Sequence, residues 1–208
     1  GGAAATEALL DRAGVSEGTS MLDLGCGAGQ AVDLAQFRNA DAIGLDRTPG
    51  DRPAVRGDLT ALPFRDGSFD VVLSECVVCL SPSLETTLAE VERVLEPGGR
   101  LALSDVTVTG TPPTLPEPVD RLLCLDGPRE PDHLRRVLEG AGLGIESERD
   151  HREDLLTMRE DLLMTLDIDR LQMLLGDRAD RLQTGAKELE AAVEAGDVSY
   201  VSIVASKP

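Results

Sequence analysis

The sequence predicts an α/β fold: a doubly wound, mostly parallel sheet with helices on both faces. Two observations carry that expectation. Strand-like apolar runs alternate with helical stretches along the chain, the pattern of a sheet built from parallel crossovers. An early run, Met21-Leu22-Asp23-Leu24, breaks into glycines at alternate positions, Gly25, Gly27 and Gly29, just before a helical stretch. A buried strand that ends in a turn without side chains lets a ligand press against bare backbone, which predicts a nucleotide-type ligand.

The elements follow in order. Residues 3–13, rich in alanine and leucine, read as a helix. Strands are predicted at 20–24, 41–45, 54–57, 69–73, 100–107, 143–148 and 198–205, with helices at 29–37, 84–95 and 131–141. Ser83 is the candidate cap of the second helix, and Pro97-Gly98-Gly99 ends it. Asp132 opens the third, with Gly140 and Gly142 near its end. Two segments interrupt the alternation. Residues 111–118 carry four prolines and predict a stiff, extended connection after the strand at 100–107. Residues 152–195 are charged and leucine-rich at helical spacing, where a short turn would suffice; an insertion of that length predicts a cap or an interface. The chain reads as one domain, 1–208, with 108–130 and 152–195 as lid segments within it.

Composition narrows the partners. A chain of 208 residues is long enough for one domain with its own core. Its formal net charge of -18 repels phosphate backbones and anionic membranes, so neither is an expected partner. Only Lys187 and Lys207 are lysines, a bias that suits a salty cytoplasm or a GC-rich genome equally. Cys26, Cys76, Cys79 and Cys124 are spaced too irregularly for a disulfide framework. No apolar run approaches the ~20 residues of a membrane span, and a cytoplasmic location is the expectation. The sequence leaves oligomeric state open, a homodimer included.

Ligands of open parallel sheets bind beyond the strand C-termini where the winding reverses, so the strand ends supply the candidate site. The first offers Asp23, Gly25, Cys26, Gly27 and Gly29. The second ends in Asp46, 21 positions after Gly25, followed by Arg47; a carboxylate there suits both hydroxyls of a ribose. Beyond the third, Asp58 suits an exocyclic amine of a base, with Leu59 against its flat face. The fourth ends in Ser74-Glu75-Cys76. A dinucleotide turn would need a small residue at position 30, where the chain has Gln30, and no lysine precedes Lys187 to clamp a diphosphate. The ligand class that fits is a nucleoside cofactor without phosphates.

These pieces resemble the class I S-adenosylmethionine-dependent methyltransferases. The resemblance runs through Leu22-Asp23-Leu24-Gly25-Cys26-Gly27-Ala28-Gly29, Gly44-Leu45-Asp46, Gly57-Asp58-Leu59, Gly67-Ser68-Phe69-Asp70 and Leu95-Glu96-Pro97-Gly98-Gly99. It implies a Rossmann-like seven-stranded sheet with the last strand antiparallel and a helical insertion before that strand. It also implies S-adenosylmethionine as cofactor. The Gly25–Gly29 turn would lie under the methionine and ribose, Asp46 on the ribose, and Asp58 and Leu59 on the adenine. Backbone near Ser74, Glu75 and Cys76 would approach the methionine end, and Asp23 would shape the turn or meet the amino group through water.

Within that class the stretch from Asp70 to Pro82 resembles arsenite methyltransferases, and Cys124 stands where those enzymes carry an arsenic-binding cysteine. A soft metalloid would want two or three thiolates beside the methyl group. The chain departs from the pattern at Gln30-Ala31-Val32-Asp33, where those enzymes place another cysteine. The expected acceptor is a small molecule, thiols and metalloids such as arsenite among them. A non-catalytic protein that binds the cofactor and uses the insertion for partner contacts is the rival.

Candidate catalytic residues are Glu75, Cys124 and His151. Cys76 and Cys79 lack the second pair that a zinc site requires and read as small buried hydrophobes; no metal site is expected.

Overall fold

A computed structural model describes residues 2–49, 53–109, 130–155 and 177–208, with backbone alone at 177–183. Helix α1 spans Gly2–Ala13 and buries one stripe, Thr6, Leu9, Leu10 and Ala13. Strand β1, Ser20–Leu24, is buried at every position after Ser20, as an apolar strand at the centre of a parallel sheet must be. Helix α2 (Gln30–Phe37), β2 (Asp41–Asp46), β3 (Ala54–Arg56) and β4 (Phe69–Glu75) follow. Helix α3 spans Leu84–Val94 and begins at Ser83, whose hydroxyl accepts the Thr86 N–H at 3.2 Å. That bond satisfies one of the helix's orphan donors. Strand β5 is Leu95–Val108, a further helix is Pro131–Gly140, β6 is Gly144–Asp150, a long helix is Asp177–Ala195 and β7 is Val198–Ser206.

The seven strands form one sheet in the order β3-β2-β1-β4-β5-β7-β6. Pairing is parallel from β3 to β5, with Asp23 opposite both Gly44 and Leu73. β7 runs the other way. Lys207 near its end exchanges backbone bonds with Gly98 and Gly99, and Thr109 beyond the end of β5 bonds Asp197 ahead of its start. The chain winds outward from β1 to β3 and then returns to β4 on the other side of β1. The winding therefore reverses between β1 and β4, at the C-terminal ends of both.

The backbone divides into two compact units, Gly1–Asp105 with Asp132–Arg149 and Ser202–Pro208, and Val106–Pro131 with Asp150–Val201. In the first, α1 and α2 pack Leu9, Leu10, Ala13, Val32 and Ala35 against Met21, Val71, Leu73, Ala102 and Val204 of the sheet. In the second, the His151 ring stacks obliquely at 5.9 Å from Tyr200, and the Ser199 hydroxyl bonds Asp150.

One predicted boundary moved by five residues. The strand expected at 100–107 begins at Leu95, immediately after α3. Leu95 pairs with Phe69, but the next pair is Arg100 with Val71, so three extra residues bulge from β5. Glu96-Pro97-Gly98-Gly99 reads as a break in sequence because the bulge needs glycine. Gly98 has φ +81°, and a Cβ on Gly99 would lie 2.9 Å from the Glu96 carbonyl. The prolines of 111–118 and most of the expected helical insertion lie outside the described residues; of the latter the structure describes residues 152–155 and the helix Asp177–Ala195.

Candidate active site

The turn after β1 is held by the neighbouring strand. The Gly25 and Cys26 N–H groups both donate to the Leu45 carbonyl, at 2.7 and 3.1 Å, and the Gly29 N–H closes back on the Cys26 carbonyl at 2.7 Å. Gly25, Gly27 and Gly29 all have positive φ, from +49° to +82°, a conformation that L side chains resist. At Gly25 a second constraint applies. A Cβ there would stand 2.5 and 2.6 Å from the two methyl groups of Val77. Val77 is aimed by Cys76, which itself has φ +53° and donates its N–H to the Ser104 carbonyl at 2.8 Å. A non-glycine residue held in that region stores strain, which β5 supports.

Cys26 fills a different gap. It is buried, and a Cβ on Gly44 would fall 2.4 Å from its sulfur. Burial pushes the Cys26 thiol above its ordinary value, with Asp23 and Asp46 adding to the shift. That is the environment of a packing thiol rather than a nucleophile.

Asp46 ties the turn to β2. One carboxylate oxygen accepts the Gly27 N–H at 3.0 Å, and the other accepts the Thr48 N–H at 2.8 Å. Burial alone would raise this carboxyl; the bonds from Thr48 and Gly27 outweigh it and hold the group below its ordinary value. Asp58 is exposed. Its Oδ1 accepts the Thr60 hydroxyl at 2.6 Å and the Thr60 N–H at 2.9 Å, which keeps the carboxylate ionised.

Asp23 and Glu75 behave in the opposite way. Parallel pairing puts Asp23 level with Gly44 and Leu73, so Asp46 and Glu75, each two residues further on, face the same side of the sheet. Asp23 is only 4% exposed, and its carboxyl is pushed up to about 7 by burial first, then by Glu75 and Asp46. Glu75 is half-buried, raised by burial, and accepts the Thr6 hydroxyl of α1 at 2.9 Å.

The Asp23 shift has a consequence for stability. An unfolded aspartate loses its proton near about pH 4, whereas the folded one keeps it to about 7. Folding thus binds a proton between those values, and the stability Asp23 supplies is present below about pH 4 and lost as pH rises through 7. Asp23→Asn should gain stability over the parent at pH 8 and lose that advantage at pH 4. Melting temperatures at the two pH values test this, and an equal difference at both would refute it.

An open cleft lies at these strand ends. Gly25, Leu45, Asp46, Arg47, Gly57, Asp58 and Leu59 line one part of it, and Val77, Leu80 and Pro82 another. Close packing shapes its floor, since a Cβ on Gly57 would meet Leu45 at 2.8 Å. The structure thus brings together Gly25, Asp46, Arg47, Asp58 and Leu59 of the expected residues. Gly27, Gly29 and Cys26 form the turn beside them, and Asp23 and Glu75 lie on the adjoining face of β1 and β4. His151 stands in the second unit, its Nδ1 at 3.4 Å from Asp154. Cys124 lies outside the described residues. Sequence reasoning did not assign Val77, Leu80 and Pro82 to the cleft, although they lie in the Asp70–Pro82 stretch, and it missed Thr6, the one hydroxyl on the buried stripe of α1.

A glycine turn between β1 and α2, an acid closing β2 and bonded to that turn, and a cleft at the switch point together define the class I S-adenosylmethionine-dependent methyltransferase fold. Residues 22–103 match the methyltransferase domain family, and that stretch is a domain of this class. The chain is 35% identical over 150 residues to an arsenite methyltransferase of Halobacterium salinarum, covering 62% of this chain and 38% of the relative. It is 33% identical over 161 residues to the methyltransferase GfsG of Streptomyces halstedii, covering 67% of this chain and 58% of that protein. The chain thus spans about two fifths of the first relative's length and about three fifths of the second's. The fold is shared with the geranyl diphosphate C-methyltransferase of Streptomyces coelicolor A3(2), solved with Mg2+, geranyl diphosphate and S-adenosyl-L-homocysteine. The TM-score is 0.79 at 18% identity, over 99% of this chain and 80% of that one. Among the described residues no helix is long and apolar enough to cross a membrane.

Proposed function

We propose that this protein transfers the methyl group of S-adenosylmethionine to a small-molecule acceptor. The observation that carries the reading is the cleft itself, where bare backbone at Gly25, the carboxylates of Asp46 and Asp58 and the apolar face of Leu59 line one space. An adenosine whose ribose carries a methionine, rather than a diphosphate, suits that set of partners. The match of residues 22–103 to the methyltransferase domain supports it.

The residues divide the work. Asp46 accepts the ribose hydroxyls, and its bonds to Gly27 and Thr48 hold it ionised and in place for that. Asp58 accepts the exocyclic amine of adenine, with Leu59 packed on the ring. The turn at Gly25–Gly29 passes beneath the methionine and ribose, and Glu75 at the end of β4 stands toward the reacting end. Bound S-adenosylmethionine supplies an already activated methyl group on a sulfonium sulfur. The protein's task is then to align the acceptor and exclude water, and alignment alone removes roughly 7–11 kcal/mol of barrier. A base is needed only for an acceptor that starts protonated; Glu75 is the candidate in the first unit.

Arsenite is the first acceptor to test, on the strength of the relative's name and the resemblance around Cys76 and Cys79. Among the described residues no three His, Cys, Asp or Glu side chains stand together as an ion would require. A three-thiolate arsenic site therefore needs Cys124. Calorimetric titration with S-adenosylhomocysteine, then methyl release from labelled S-adenosylmethionine on arsenite with thiol, small thiols and amines, tests the proposal. Binding with turnover on one acceptor is expected. Absence of S-adenosylhomocysteine binding overturns the reading, and binding without turnover on any acceptor supports the scaffold instead.

A further inference from the structure

Thr6 is anomalous on α1. The helix buries positions 6, 9, 10 and 13, a single stripe, and three of the four are apolar. Packing alone would favour valine, the same shape without a hydroxyl. The hydroxyl is buried, at 8% exposure for the residue, and reaches 69 positions along the chain to Glu75 Oε2 at 2.9 Å. Its other neighbour is the Gly2 carbonyl one turn back in the same helix, at 3.4 Å. A threonine hydroxyl has one proton to donate and lone pairs to accept with. Toward an ionised Glu75 it donates; toward a protonated Glu75 it accepts and turns its own proton to Gly2. Either way the half-buried carboxyl stays partnered, which a burial site requires.

We propose that Thr6 is a positioning residue, which fixes the Glu75 carboxyl at the end of β4 and thereby makes docking of α1 part of the active site. The inference rests on the methyltransferase reading only for what Glu75 does; the contact itself does not depend on it. The titratable groups on this face of the sheet are Asp23 of β1, between Glu75 and Asp46, and Asp46 of β2. Ser104 is the β5 residue paired with Glu75. Among the described residues Thr6 is the side chain whose hydrogen bond lowers the Glu75 carboxyl.

The test uses Thr6→Val, which keeps the shape, and Thr6→Ser, which keeps the hydroxyl. Carbon-13 titration of the side-chain carboxyls, with Glu75 assigned by its loss in Glu75→Gln, gives the readout without any acceptor. In Thr6→Val the Glu75 resonance should titrate about 1 pH unit higher, the worth of one hydrogen bond to the charged form. In Thr6→Ser it should titrate with the parent. Titration of Thr6→Val together with the parent overturns the proposal. So does a failure of Thr6→Ser to restore the parent midpoint, because the effect then belongs to packing. S-Adenosylhomocysteine affinity of the same three proteins separates the two ideas. Its absence throughout rejects the methyltransferase reading, while the Glu75 midpoints still decide the role of Thr6.

Discussion

Asp46→Ala is expected to lower the affinity for S-adenosylhomocysteine by at least about 100-fold. The carboxylate is assigned two ribose hydroxyls, and hydrogen bonds to a charged group contribute about 1.5–3 kcal/mol each. Loss of both is worth about 3 kcal/mol or more, and 1.4 kcal/mol is a factor of ten. The same substitution removes the acceptor of the Gly27 N–H at 3.0 Å and of the Thr48 N–H at 2.8 Å. The binding turn therefore loosens as the contact disappears. Asp46→Asn, which keeps one acceptor oxygen, should fall between the two. Calorimetric titration measures the change and circular dichroism checks the fold; an Asp46→Ala protein with parent affinity would show that the ribose lies elsewhere.

Gly25→Ala should be strongly destabilising. Two costs add. A left-handed conformation at φ +66° costs an L residue about 1–2 kcal/mol. The new Cβ also falls 2.5 and 2.6 Å from the Val77 methyls and 3.1 Å from its Cβ, so Val77 or the backbone must move. Overpacking of this kind costs about 1–3 kcal/mol. Together they amount to about 3 kcal/mol, or roughly 6–12 °C in Tm for a protein of this size. Because the displaced turn lines the cleft, S-adenosylhomocysteine affinity should drop as well. Adding Val77→Ala removes the steric part and leaves the conformational part, so the double variant should recover part of the loss. Equal melting temperatures for Gly25→Ala and the double variant would show that Val77 is not the obstacle.

The sheet was legible in the sequence because β1, β2, β4 and β7 are short, mainly apolar runs bounded by turns, and Ser83 marked the start of α3. The strand ends then named Gly25, Asp46, Asp58 and Leu59, since one chemical logic sets both their spacing and their residue types. What escaped was tertiary. Pro97-Gly98-Gly99 reads as a terminator, but the pairing of Leu95 with Phe69 makes it a bulge inside β5. Cys76 and Val77 sit in an apolar stretch with nothing to mark the positive φ that turns Val77 toward Gly25. Thr6 and Glu75 are 69 positions apart and no local rule joins them. Asp23 is an acid in a strand, and only the strands stacked around it reveal how far its charge is suppressed. His151 was placed by its position at the end of a strand, and the structure assigns that strand end to the second unit.

The position of β7 bears on the order in which the sheet is assembled. In sequence it follows every other strand, yet in space it stands between β5 and β6. β6 is largely exposed along its length, as a strand at the rim is, and β7 is its neighbour in the sheet. During synthesis β1 to β5 can pair as they emerge, while β6 must wait, unpaired, for more than forty residues until Val198–Ser206 has left the ribosome. Its seven residues, Gly144-Ile145-Glu146-Ser147-Glu148-Arg149-Asp150, include four that are charged. That composition keeps a waiting strand from pairing with the wrong edge.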